Sequence, residues 1–126
     1  MATKTEKILQ DYVMAWNDHD VNHILAFLSE DCVYNESFST TGKRGTAQLT
    51  EQINARLARF PNLQFVTGSL SKCDSCTWSM SLGWSGTDAK SSKVFWSYGV
   101  TNFEVHKHEI CSERYYEIIG NVHAET

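Results

Sequence analysis

Two carboxylates, Glu113 and Glu117, stand in the stretch CSERYYEIIG with two tyrosines between them. If this stretch is a β-strand, its side chains alternate between faces. Glu113, Tyr115 and Glu117 then share one face, and Arg114 and Tyr116 the other. On a face turned toward an apolar interior, crowded carboxylates are desolvated and repel one another, so one holds its proton while another stays ionised. Such a pair performs general acid/base chemistry: proton transfer beside a carbonyl, epoxide opening or dehydration. On a face turned toward water the same residues are surface charge, with Arg114 or Lys107 as an ion-pair partner for Glu117.

Other chemistries find little support. The chain has no G-x-S-x-G, P-loop or dinucleotide fingerprint, which argues against serine hydrolase, nucleotide or nicotinamide chemistry. Cys73 and Cys76 form a lone C-x-x-C without the second pair that a structural zinc site uses, and they read as flanking a turn. Cys32 and Cys111 read as small core residues in strands. His19, His23, His106 and His108 show no metal-ligand spacing with one another. Neither metal nor cofactor is therefore expected.

A formal charge of -4, with no basic cluster beyond Lys43 and Arg44, lacks the footprint of a nucleic-acid or anionic-membrane binder. No segment approaches the roughly 20 apolar residues that span a bilayer, and MATKTEKILQ lacks a signal-peptide core. A soluble, cytoplasmic protein is expected, with small molecules or proteins as partners.

The elements that must position the carboxylates follow from hydrophobic spacing. With 126 residues, 41% of them hydrophobic, the chain is expected to form one domain over residues 1–126. Ile8, Leu9, Tyr12, Val13 and Trp16 give one face of a helix from Thr3 to Asn17. Asp20 caps a second, shorter helix whose face is Val21, Ile24, Leu25 and Leu28. Cys32 to Glu36 reads as a strand, and SFSTTGKRG as a loop.

A third helix runs from about Thr46 to Phe60, with Leu49, Ile53, Leu57 and Phe60 in register and Pro61 as its stop. The remainder reads as β. In CTWSMSLGW large residues alternate strictly with Ser, Thr or Gly. VFWSYGVTNFEV is a further strand, HKH a turn and EICSERYYEII the last strand. Three helices followed by an antiparallel meander predict an α+β fold, a curved cone-shaped sheet with the helices on its concave side. A cavity is expected at the open end of the cone.

This order of elements resembles the NTF2-like superfamily, which includes ketosteroid isomerases, SnoaL-like polyketide cyclases, limonene epoxide hydrolase and scytalone dehydratase. DYVMAWNDHDVNHILAFLSEDCVYNE looks like the opening helices and first strand of these proteins, RFPNLQF like the connection after the third helix, and NFEVHKHEICSERYYEIIG like the final hairpin. The likeness covers essentially the whole chain. It implies that Tyr12 donates a hydrogen bond to a substrate oxygen and that Glu36 is the carboxylate base. Thr101 stands where ketosteroid isomerases carry a protonated Asp, and Ser37 where a proline follows their base. The resemblance turns Glu113, Tyr115 and Glu117 into the cone, with Glu117 at the position of the cyclases' acid/base aspartate.

The expected function is therefore a cofactor-free acid/base enzyme acting on a hydrophobic, polycyclic small molecule of natural-product biosynthesis: an isomerase, a cyclase, or an epoxide or lactone hydrolase. Glu36, Glu117 and Tyr12 are its candidate catalytic residues. Trp16, Phe103, Thr101, Glu113 and Tyr115 are its candidate substrate-binding residues. The resemblance further implies a homodimer formed through the outer sheet face. The competing reading is a binding module of the same shape that sequesters a ligand or docks a protein, since fold alone does not assign function.

Overall fold

Thr3 opens the first helix with a capping box: its Oγ1 accepts from the Glu6 N–H at 3.2 Å, and Glu6 Oε1 accepts from the Thr3 N–H at 3.2 Å. The computed structural model describes residues 3–35 and 46–122. Helix α1 (Lys4–Asn17) buries Leu9, Tyr12, Val13, Ala15 and Trp16, the apolar stripe that the spacing predicts. Asp20 caps α2 (Val21–Ala26) by accepting from the His23 N–H at 3.1 Å. Helix α3 spans Thr46–Arg59 and buries Leu49 and Ile53.

Five strands follow or interleave: β1 (Leu28–Asn35), β2 (Gln64–Lys72), β3 (Thr77–Thr87), β4 (Val94–His106) and β5 (Glu109–Gly120). They form one curved, unclosed sheet in the order β1-β5-β4-β3-β2, with helices packed against it. The α+β cone read from the sequence is the fold observed.

Three details differ from the sequence reading. Leu28 belongs to β1 rather than to the second helix, because the Ile110 N–H donates to the Phe27 carbonyl at 2.8 Å and Leu28 pairs with Ile110. Pairing with β5 thus takes the chain out of helix earlier than hydrophobic spacing suggests. The β1–β5 pair is also parallel, whereas every other neighbouring pair is antiparallel. No hairpin joins these two strands, so nothing forces them to run in opposite directions. Finally, β2 forms inside the remainder read as β, where the sequence sets no bounds for a separate strand. Its side chains are mostly exposed, so it shows little alternation of its own and is held by its ladder to β3. Glu36 and the SFSTTGKRG loop lie outside the described residues.

The concave face is built from alternating residues: Trp78, Met80, Leu82 and Trp84 on β3, and Phe95, Ser97, Thr101, Phe103 and Val105 on β4, all buried. In β5 the inward parity changes along the strand. Val105 pairs with Ile110, but Glu104 pairs with Ser112, so Cys111 is an extra residue. This bulge puts Ile110 inward before it, and Glu113 and Tyr115 inward after it.

A second bulge lies beyond Glu117, which pairs with Gly99, while Ile119 pairs with Tyr98. Gly86 is a close-approach site: a Cβ there would come within 2.8 Å of Phe60 Cβ, so its absence lets the residue after α3 pack onto β3.

The end of α1 is fixed by a side-chain amide. Asn17 Nδ2 donates to the Phe65 carbonyl at 3.0 Å, and Asn17 Oδ1 accepts from the Phe65 N–H at 2.7 Å. We expect Asn17→Ala to remove both bonds and strand two partly buried backbone groups, at a cost of about 1–3 kcal/mol. An unfolding free energy in urea lowered by that amount, through a lower midpoint at unchanged m-value, is the result to look for; an unchanged midpoint would refute this role.

Candidate functional site

The concave face, α1 and α3 enclose a small cavity. Tyr12, Val13 and Trp16 reach it from α1, Arg56 from α3, Phe65 from β2, Leu82 and Trp84 from β3, Thr101 and Phe103 from β4, and Glu113 and Tyr115 from β5. The enclosed space is about 20 Å³, about one water's worth.

Its polar centre is the pair Tyr12 and Glu113. The Tyr12 hydroxyl donates to Glu113 Oε2 at 2.5 Å, joining α1 to β5 across 101 positions of sequence. Tyr12 is buried and is gripped edge-on by Phe27 and Phe103, each with its ring centroid 6.0 Å away. Burial pushes the Glu113 carboxyl from its ordinary 4.5 up to about 7, against the opposing pull of the Tyr12 hydroxyl and the Arg56 guanidinium. A carboxyl with this value has both protonation states available near neutral pH, the condition for an acid that also serves as a base.

Around this pair the walls carry hydrogen-bonding groups of two kinds. Tyr115 and Ser97 are satisfied, their hydroxyls 2.6 Å apart, and burial raises the Tyr115 phenol above its ordinary value. Thr101 Oγ1 and Trp84 Nε1 are buried and have no partner among the described residues. Buried polar groups are normally paired, so two such atoms on one cavity wall mark where a ligand's polar atoms would sit.

Six residues singled out in the sequence therefore converge: Tyr12, Trp16, Thr101, Phe103, Glu113 and Tyr115. Glu117 is not among the cavity walls. Its carboxylate lies toward Gly120, at the second bulge of β5. Glu36 lies outside the described residues.

Sequence reasoning missed Arg56 and Trp84. Arg56 carried a usable signal: it falls three residues after Ile53 and seven after Leu49, on the apolar stripe of α3, where a guanidinium is out of place. The structure holds it over the rings of Trp16, Phe65 and Trp84, at 5.8, 5.5 and 5.1 Å. Trp84 stands in the alternation of CTWSMSLGW as one more large residue, and only its buried indole N–H, without a partner among the described residues, distinguishes it from plain core.

Among the described residues no cluster of three or more His, Cys, Asp or Glu is placed to hold a metal ion. Among the described residues no helix is long and apolar enough to cross a membrane. Cys73 and Cys76 flank a turn in which Asp74 Oδ1 accepts from the N–H groups of Cys76 and Thr77.

The SnoaL-like domain profile matches residues 9–113. No curated protein matches the chain in sequence. Solved structures with the same fold include the epoxide hydrolase/cyclase-like enzyme SalBIII, described in pyran ring formation in the polyether salinomycin, at 19% identity and TM-score 0.82 over 90% of each chain. Rv0760c from Mycobacterium tuberculosis, solved in complex with estradiol-17β-hemisuccinate, is 17% identical at TM-score 0.77, covering 87% of this chain and 90% of that one. A ketosteroid isomerase-like protein from Catenulispora acidiphila is 15% identical at TM-score 0.79, covering 87% and 84%.

The raised Glu113 value makes a signed prediction. In the unfolded chain the carboxyl ionises near 4.5, and in the folded protein near 7. Its contribution to stability is therefore complete below 4.5 and is lost as pH rises through 7. Glu113→Gln should leave the unfolding free energy unchanged at pH 4 and raise it by roughly 2–3 kcal/mol at pH 8.5. Equal differences between variant and wild type at the two pH values would show that Glu113 ionises normally.

Proposed function

This chain belongs to the SnoaL-like domain family, and from that premise we propose that it is an acid/base enzyme that needs no cofactor and isomerises, cyclises or hydrolytically opens a hydrophobic ring-bearing small molecule. The observation that carries this reading is the Tyr12–Glu113 pair, a carboxyl pushed up to about 7 and bonded to a phenol inside an apolar cavity. Glu113 takes a proton from one position of the substrate and returns it at another. Thr101 and the Trp84 indole N–H donate to the oxygen on which charge develops, and Tyr12 joins them as its single hydroxyl hydrogen turns from Glu113 to the substrate. Trp16, Phe103 and Tyr115 shape the apolar walls around the reacting carbons.

Glu117 and Glu36 are assigned the second carboxylate. Glu117 sits four residues along β5 from Glu113, close enough for its charge to raise the Tyr115 phenol. Glu36 follows β1, whose Tyr34 and Asn35 pair with Glu113 and Arg114. A second carboxylate near the first is what lets one group protonate a leaving oxygen while the other activates water or abstracts a proton.

The test is exchange of α-protons in a panel of cyclic ketones dissolved in D₂O, followed by NMR. Wild type should accelerate exchange on at least one member, and Glu113→Gln should lower that rate about 10²- to 10⁴-fold, the contribution typical of a positioned base. Tyr12→Phe should retain a folded protein with an intermediate rate. Exchange at the buffer rate across the whole panel would remove the enzyme reading and leave a binding module.

The proposed assembly is a homodimer. Val94, Trp96, Tyr98, Tyr116 and Ile118 are exposed on the outer face of β4 and β5, with Ile118 67% and Val94 60% accessible. A contiguous apolar and aromatic surface of this kind marks an interaction site. Tyr98→Asp combined with Ile118→Asp should halve the mass seen by sedimentation equilibrium; a wild-type mass equal to one chain would dismiss the dimer.

A further inference from the structure

The acid/base site uses none of the four cysteines, yet two of them lie side by side. β1 and β5 run parallel, with Val33 opposite Ser112, Tyr34 opposite Glu113 and Asn35 opposite Arg114. One step back along each strand stand Cys32 and Cys111. Residues opposite one another in a sheet share a face, and neighbouring strands lie about 4.8 Å apart. That spacing falls inside the roughly 4.4–6.8 Å between Cα atoms that a disulfide spans. Both thiols are free, Cys32 fully buried and Cys111 partly exposed. The Cys111 Sγ–H makes only a weak bond, at 3.6 Å to the Glu109 carbonyl.

The two thiols are unequal. Burial first, then the charges of Glu113, Cys111 and Asp31, push the Cys32 thiol from 9.0 up to about 12. The effect of the Cys111 charge on Cys32 agrees with their adjacency in the sheet. Cys32 therefore stays protonated at neutral pH, where a thiol is a far weaker nucleophile than a thiolate. Cys111 is the accessible partner, and it is also the extra residue of the β5 bulge. That bulge decides which way Glu113 faces, because a slip of one residue turns every following side chain to the other face of the sheet.

We propose that Cys32 and Cys111 close into a disulfide when the protein meets a hydroperoxide, a redox-set staple across the β1–β5 pair. Cys111, as thiolate, attacks one peroxide oxygen; the O–O bond breaks, the sulfur becomes a sulfenic acid, and the other oxygen leaves as an anion that takes up a proton. The Cys32 sulfur then attacks the Cys111 sulfur and gives up its proton, and the sulfenic oxygen departs as water. Two thiols lose two electrons, and hydrogen peroxide, gaining them, ends as two waters. The staple holds Cys111 in the bulge and with it the inward parity of Glu113. It depends on the strand pairing and not on the reaction catalysed next to it.

The experiment treats the whole chain with a slight excess of hydrogen peroxide, quenches with catalase, alkylates the remaining thiols with iodoacetamide and maps the digest by mass spectrometry. Wild type should yield one linked pair of peptides carrying Cys32 and Cys111, two hydrogens lighter than the two thiol peptides together and parted by dithiothreitol. The link should persist when Cys73→Ser and Cys76→Ser remove the C-x-x-C pair. The oxidised chain should melt roughly 5–15 °C higher than the reduced one. In Cys32→Ala the resolving thiol is gone, so dimedone-labelled sulfenic acid should build up on Cys111 several-fold above wild type. In Cys111→Ser, Cys32 should remain unmodified.

Recovery of Cys32 and Cys111 on separate peptides after peroxide, or linkage of Cys111 to Cys73, Cys76 or a second chain, would overturn the proposal. So would an unchanged melting temperature once the link has formed, or oxidation of Cys32 in Cys111→Ser. The mapping is made on wild type, so a variant that fails to fold leaves the decisive measurement intact.

Discussion

The hydrogen bond between Tyr12 and Glu113 is the constraint around which the rest of the molecule is arranged. It joins the first helix to the last strand, so neither end of the described fold can shift without the other. It exists only because three separate local features coincide. The apolar stripe of α1 turns Tyr12 inward. The bulge at Cys111 changes the parity of β5 so that Glu113 faces the concave side. The aromatic contacts of Phe27 and Phe103 fix the phenol ring so that its hydroxyl meets the carboxyl. A carboxyl on a concave, apolar surface is costly to ionise, and the phenol offsets part of that cost without abolishing it.

Opposing charges set the working balance of the site. Burial drives Glu113 toward its neutral form, and Arg56 draws it back toward the ionised one. Arg56 is itself partly removed from water among three aromatic rings, where its attraction to any nearby negative charge is less screened than at the surface. One guanidinium thus influences the protonation of the carboxyl while it packs against the aromatic wall.

The fold was largely legible in the sequence because its signals are local. The stripe of α1, the Asp20 cap and the strict alternation of β3 each announce an element without tertiary knowledge. What escaped was set by long-range pairing. Leu28 follows a helical spacing, but Ile110 on a strand more than 80 positions away claims its backbone. β2 has no clear alternation because it lies at the sheet edge, where few of its side chains are buried. The site was legible to the extent that alternation could place it: Glu113, Tyr115 and Glu117 fall on one face in the register, with Glu117 opposite Gly99 and its carboxylate set toward Gly120, beyond the cavity lining. Arg56 was overlooked because a charge on a helix is ordinarily solvated. Its position on the apolar stripe outweighs its type.

The amide of Asn17 has a meaning apart from anchoring α1. β2 is the outermost strand on its side of the sheet, so its outward N–H and C=O groups are a ready template for an extended segment of another chain. At Phe65 both groups are already occupied by the Asn17 amide, which stands in the place that a sixth strand's backbone would take. Farther along the same strand, the irregular pairing between Thr67 and Leu70 breaks the even spacing that a foreign strand would need. The molecule therefore blunts this flank against edge-to-edge aggregation with one side chain and one irregularity.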